Sequence, residues 1–207
     1  MRARRRREEE HATAFLLEEL HNAEAEFRRL RAEGHARMTG FLTLVGATLG
    51  LVAALSGAKG LASDALLRVM LAAALFIAVV GTNAYIGLVV RDIGTDACAR
   101  NAARIRHYFV TEYPRLAPHV SWRHTDGPST WVTRPRSVNR RQIGLITAAA
   151  YGGAAAAAVR MAFEAGSAVT AGAGSVATAV VWPLLLCWAR RRMRHVADRA
   201  RREQRFD

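Results

Sequence analysis

Residues 69–90 read VMLAAALFIAVVGTNAYIGLVV, a run without a single Asp, Glu, Lys or Arg. A hydrocarbon core about 30 Å thick is crossed by roughly 17–25 helical residues rising about 1.5 Å each. The run has the length and composition of a transmembrane helix. Upstream, Phe41 to about Ala58 reads FLTLVGATLGLVAALSGA, also uncharged and near the short end of that range. The linker between the two runs carries Lys59, Asp64 and Arg68 and is too short to be a domain. Residues 41–90 therefore predict a transmembrane hairpin.

Downstream, the pattern repeats more weakly. Residues 143–159, IGLITAAAYGGAAAAAV, are short and built from alanine and glycine. Alanine is close to neutral for insertion, whereas Leu, Ile, Phe and Val each favour it by about 0.3–0.6 kcal/mol. Arg160 and Glu164 follow, and the fourth run, about Gly166 to Ala189, contains VTAGAGSVATAVVWPLLLCWA with Pro183 inside it. Residues 143–189 predict a second hairpin. The competing reading makes this segment a re-entrant or interfacial hairpin and leaves two spans.

Charge orients the chain. Residues 1–40 hold 9 Lys/Arg, residues 91–142 hold 10, and the tail from Arg190 holds 8; the remaining three are Lys59, Arg68 and Arg160. Cytoplasmic segments next to membrane spans carry the Lys/Arg excess. Both termini and the central segment are expected in the cytoplasm of a bacterial inner membrane, with an even number of spans. The Arg- and Ala-heavy, Lys-poor composition suggests a GC-rich bacterial source. No secretory leader is read, because the first apolar run starts only near Phe41.

The segments outside the membrane read as helical. Leu16, Leu20, Ala23, Phe27 and Leu30 share one face of a helix over 8–37, and Gly34 and Gly40 allow a bend before the membrane. The stretch after Arg91 lacks proline and extends the second span until Pro114 and Pro118 end it. Gly127, Pro128 and Pro135 mark the rest of the central segment as loop. The fold class is therefore all-α. Its parts are a cytoplasmic amphipathic helix (1–40), hairpin 1 (41–90), a basic helix and loop (91–142), hairpin 2 (143–189) and a basic tail (190–207).

Catalytic and metal chemistry find no motif. The seven histidines form no HExxH, and none lies near a cysteine pair; His119 and His124 share a proline-bounded loop. Cys98 and Cys187 fall near expected cytoplasmic helix ends and are expected reduced. No residue is assigned to catalysis, to a cofactor or to a metal. No ionisable side chain lies at the centre of a span, which argues against a proton-coupled pump but leaves a passive pore open. Asn83, beside Thr82, and Tyr85 and Tyr151 are polar at membrane depth and need partners. Ala150, Gly153, Ala154 and Ala157 have the small-residue spacing that permits close helix approach, within one copy or between copies. Trp122 and Trp131 among Arg123, Arg134 and Arg136 suit an anionic lipid surface better than nucleic acid, given the adjoining spans. Trp182 and Trp188 are placed at the inner interface as an aromatic belt.

The run ARIRHYFVTEYPRLAPHV (103–120), directly after a membrane hairpin, looks like patterns in uncharacterised actinobacterial membrane proteins. Residues 10–120, an N-terminal helix, a hairpin and a cytoplasmic helix, resemble the SLATT effector domains of bacterial defence systems. That resemblance implies pore formation in response to a nucleotide signal; it carries over no site residue. Together these readings predict a non-enzymatic membrane protein that oligomerises as a pore or effector, or an anchor that recruits a cytoplasmic protein. Its expected partners are an anionic bilayer, further copies of itself and a cytoplasmic protein.

Overall fold

The computed structural model describes residues 2–57, 62–119, 125–133 and 137–206. Lys59, Trp122, Arg123, His124, Arg134 and Arg136 lie outside the described residues, as does the side chain of Trp131. The described residues form helices α1 (Arg2–Gly57), α2 (Ser63–Glu112), α3 (Thr130–Thr133), α4 (Val138–Phe163) and α5 (Ser167–Arg202), with a 3-10 turn at Pro114–His119 between α2 and α3. No strand occurs among them. Four helices, α1, α2, α4 and α5, are long and apolar enough to cross a membrane. The alanine-rich α4 belongs to that set, because its apolar stretch continues from Ile143 through Val159 without a charge.

Two of the helices are much longer than a membrane is thick. α1 spans 56 residues and runs unbroken through Gly34 and Gly40, so the amphipathic and apolar segments are one helix. A mid-helix glycine costs only about 1 kcal/mol relative to alanine, and no proline interrupts the run. α2 spans 50 residues and ends at Glu112, directly before the proline-bounded turn. Ser137 caps α4, its side chain accepting from the Arg140 N–H at 3.4 Å. Glu164 ends α4 in the left-handed conformation, φ 44°. Pro183 lies within α5, which continues past it to Arg202.

The chain divides into two compact units. An apolar unit comprises 34–89 and 136–191; a charged unit comprises 1–33, 90–135 and 192–207. In the apolar unit, one face of α2 supplies the core through Ile77, Ala78, Tyr85 and Leu88, joined by Phe41, Ile143 and Ala148. Glycines set the close approaches. A methyl at Gly81 would meet the Phe41 ring at 3.1 Å, and one at Gly144 would meet Trp182 at 2.7 Å and Tyr85 at 2.9 Å. Trp182 therefore packs inward against Gly144, beyond the interfacial role expected for it. α4 and α5 cross at Gly152 and Gly174: a methyl at Gly152 would lie 2.6 Å from the Gly174 carbonyl oxygen and would also strike Thr178. Gly153, singled out by its spacing, faces only Ala74 at 3.8 Å, an ordinary contact.

In the charged unit, burial falls on Ala102, Ala103, Val132, Met193, Ala197 and Ala200. Two carboxylates, Asp96 and Asp126, are fully buried with them. Buried carboxylates persist only where cations and N–H donors compensate the lost hydration, and that requirement organises the unit.

Candidate functional site

Among the described residues, the outer face of α2 and a cavity in the charged unit are candidate sites. On α2, Ala72, Phe76, Val79, Asn83 and Ile86 recur at spacings of 4, 3, 4 and 3 and are all exposed. Phe76 is 48% exposed, Val79 58% and Ile86 38%, on the side of the helix away from its buried face. The heptad-like period makes this stripe a seam of the kind that packs against another helix.

Asn83 sits in the middle of that seam. It follows Arg68 by 15 residues and precedes Arg91 by 8, which places it about 12 Å along the helix from Arg91. Several other polar residues of the apolar unit are internally satisfied, although Thr43 and Ser175, both exposed, likewise make no hydrogen bond to a described residue. Thr48, Ser56, Thr82, Thr147 and Thr178 return their hydroxyls to the carbonyl four residues back on the same helix, at 2.7–3.0 Å. Thr82 and Tyr151 bring their hydroxyls to 3.3 Å, and Tyr85 donates to the Leu185 carbonyl at 3.1 Å. Asn83 makes no hydrogen bond to any described residue and is exposed. The polar groups expected at membrane depth thus separate: Thr82, Tyr85 and Tyr151 tie helices of one copy together, and Asn83 does not.

In the charged unit, Asp96 and Asp126 tie α2 to the loop and to the tail. Asp96 accepts from the Ser129 N–H at 2.7 Å and pairs with Arg100 at 3.1 Å; Arg100 reaches Glu203 at 3.5 Å. Asp126 pairs with Arg104 at 2.8 Å and accepts from the backbone N–H groups of Arg205 and Phe206 at 3.1 Å. Arg104 also donates to the Glu203 carbonyl at 3.1 Å, and the Phe206 ring stacks on His107 with centroids 3.9 Å apart. Burial alone would push the Asp126 carboxyl up. The hydrogen bond from Arg104, the Phe206 and Arg205 N–H groups and the Arg104 charge outweigh it and hold the carboxyl below its ordinary value.

Beside this network lies a cavity of about 590 Å³, walled by α1, α2 and the loop before α3. Phe27, Ala99 and Ala102 supply apolar wall, and Arg28, Arg100, Arg106 and Glu24 supply charge. Glu24 pairs with Arg106 at 2.8 Å. Cys98 also lines it; burial and the nearby Glu26 charge push its thiol up, so it is protonated at neutral pH. Within the apolar unit a second cavity of about 510 Å³ is bounded by Leu49, Met70, Ala74 and Gly153, with Arg160 at its edge.

Among the described residues, no three His, Cys, Asp or Glu side chains converge as metal ligands would. His119 is exposed in the 3-10 turn, and Cys187 is exposed on α5. The burial of these carboxylates had no signature in the sequence: Asp96 pairs with Arg100 four residues on, as an exposed helix pair would, and the Ser129 N–H and all the partners of Asp126 are distant along the chain. Comparison with protein-family models, with curated proteins and with solved structures gave no match.

Proposed function

We propose that the protein is a non-enzymatic, multi-pass component of the bacterial inner membrane that works as a self-associated assembly, a pore or membrane effector. Asn83 carries this reading. An amide left unsatisfied in hydrocarbon costs several kcal/mol, and a single copy offers Asn83 no partner among the described residues. Copies inserted in one orientation place their Asn83 side chains at the same depth. A parallel α2–α2 contact along the Phe76–Ile86 seam then satisfies both amides while burying the apolar residues on either side. The spans leave surface for such contacts. Of the most apolar stretch of each helix, 39% is buried for α4 but only 6% for α1 and none for α5.

The orientation rests on the arginine layout, which puts the charged unit and both termini in the cytoplasm. The SLATT-like arrangement of residues 10–120 accords with an effector. Mass measurement in nanodiscs and photobleaching counts in liposomes test the assembly. Asn83→Val should weaken association by about tenfold, the worth of one interhelical hydrogen bond at its upper range, and Asn83→Gln should restore it. Single cysteines at Val79 or Ile86 should cross-link to themselves between copies. A strict monomer at every protein density overturns the proposal.

A second reading, a membrane anchor whose cytoplasmic unit recruits a protein, is favoured by the ion-pair network that holds the loop and tail in one arrangement. Ion flux from liposomes separates the two: an assembly that leaves the vesicles sealed supports the anchor.

A further inference from the structure

We propose that the cavity of the apolar unit is a groove for one phospholipid, which lays an acyl chain between α1, α2 and α4 and sets its phosphate beside Arg160. The three helices meet at one level and part beyond it. A methyl at Gly81 would strike the Thr147 hydroxyl and meet the Phe41 ring at 3.1 Å, so α1, α2 and α4 touch there. Phe41 and Thr147 are buried at that contact. Nearer the α4–α5 turn, Leu49 and Met70 line the cavity yet stay 57% and 45% exposed. The groove is closed at the Phe41 level and open along its length toward Arg160.

Depth and polarity name the occupant. On α2 the lining runs from Leu67 to Ile77, ten residues or about 15 Å of helix. A hydrocarbon core about 30 Å thick has leaflets of about 15 Å. Gly81, at the closed end, lies near the middle of the uncharged stretch between Arg68 and Arg91. The groove therefore covers one leaflet, from headgroup level to bilayer centre, which is the depth an acyl chain fills. Its walls are apolar except for Arg160 and Thr170, and both stand at the open end. That is the polarity of an amphiphile with its head at the interface. Arg160 donates to the Ala165 carbonyl at 2.9 Å, which ties its guanidinium to the α4–α5 turn. A guanidinium has five N–H donors in a fork that suits phosphate oxygens. Zwitterionic and anionic phospholipids fit alike, since both carry the phosphate. The volume of about 510 Å³ lies within the usual range for small-molecule pockets. Phe76, Val79, Asn83 and Ile86 do not line the groove, so lipid and a second copy use different faces of α2.

The test strips the full chain of lipid in detergent and titrates it with dioleoyl phosphatidylglycerol, counting bound lipid by native mass spectrometry. One lipid per chain should bind saturably. Arg160→Gln should weaken it about tenfold, the difference expected for a charge-assisted contact. The same variant should bind dioleoylglycerol, which has the chains without the phosphate, as the wild type does. Gly153→Leu puts a side chain into the groove beside Ala74 and should abolish binding of both lipids. Asn83→Val should keep the lipid, which separates this site from self-association. Unsaturable uptake of many lipids, or wild-type binding by either Arg160→Gln or Gly153→Leu, would overturn the proposal. So would a groove filled by a second copy, seen as cross-linking between single cysteines at Met70 with no lipid retained.

Discussion

The carboxylate of Asp126 accepts a hydrogen bond from the backbone N–H of Phe206 at 3.1 Å, joining residues 80 positions apart in the chain. The same carboxylate holds Arg104 at 2.8 Å, so a loop residue fastens the end of the tail to the side of α2. Asp126→Asn keeps the shape but turns an N–H₂ group toward donors. We expect a loss of about 2–4 kcal/mol, the range for breaking a buried, hydrogen-bonded charge pair with one partner partly exposed. Thermal unfolding in detergent, together with faster proteolysis near Glu203, checks it.

The same contact predicts a pH response. The folded carboxyl titrates below its ordinary value, so its stabilisation is fully present above the unfolded value of about 3.9 and is lost as pH falls through the lowered folded value. Hydrogen exchange of the Arg205 and Phe206 amides should stay slow from neutral pH down to about 4, after correction for intrinsic rates, and speed up only below that. In Asp126→Asn this acid step should be absent.

Gly152 and Gly153 should differ in how well they tolerate a side chain. Gly152→Leu drives a side chain into Gly174 and Thr178 and should cost about 1–3 kcal/mol by overpacking. Gly153→Ala meets only Ala74 at ordinary distance and should leave the melting temperature nearly unchanged. If both glycines prove equally sensitive, the α4–α5 crossing is not where the structure puts it.

Topology is open to chemical labelling. In a Cys98→Ala, Cys187→Ala background, cysteines at Ser56 and Ser167 should react with an impermeant maleimide added outside intact cells. One at Ser137 should react only after permeabilisation. Protection at Ser167 would favour the two-span arrangement over the four-span one.

Much of the architecture was legible because lipid-compatible helices need long uncharged runs, and charge interrupts this chain only at a few places. The same argument found α4, although alanine gives little insertion energy. Residue spacing could not say which small residue makes a crossing: the Gly153 pattern and the Gly152 contact differ by one position, about 100° around the helix. Asn83 was recognisable as a polar residue needing a partner, but its direction depends on which face Tyr85 and Leu88 bury. The burial of Asp96 and Asp126 was not recognisable, since Asp96 with Arg100 four residues on looks like any exposed helix pair, and Asp126 looks solvated until distant Arg104 and the tail amides fold around it.

Under the proposed self-association, the position of Asn83 also bears on which membrane proteins could pair with this one. A foreign membrane helix sliding along α2 would have to abandon the amide to acyl chains unless it offered a polar side chain at the matching level. An oily surface alone would tolerate many companions; a lone amide at fixed height admits few, and an identical chain is the one companion certain to carry it.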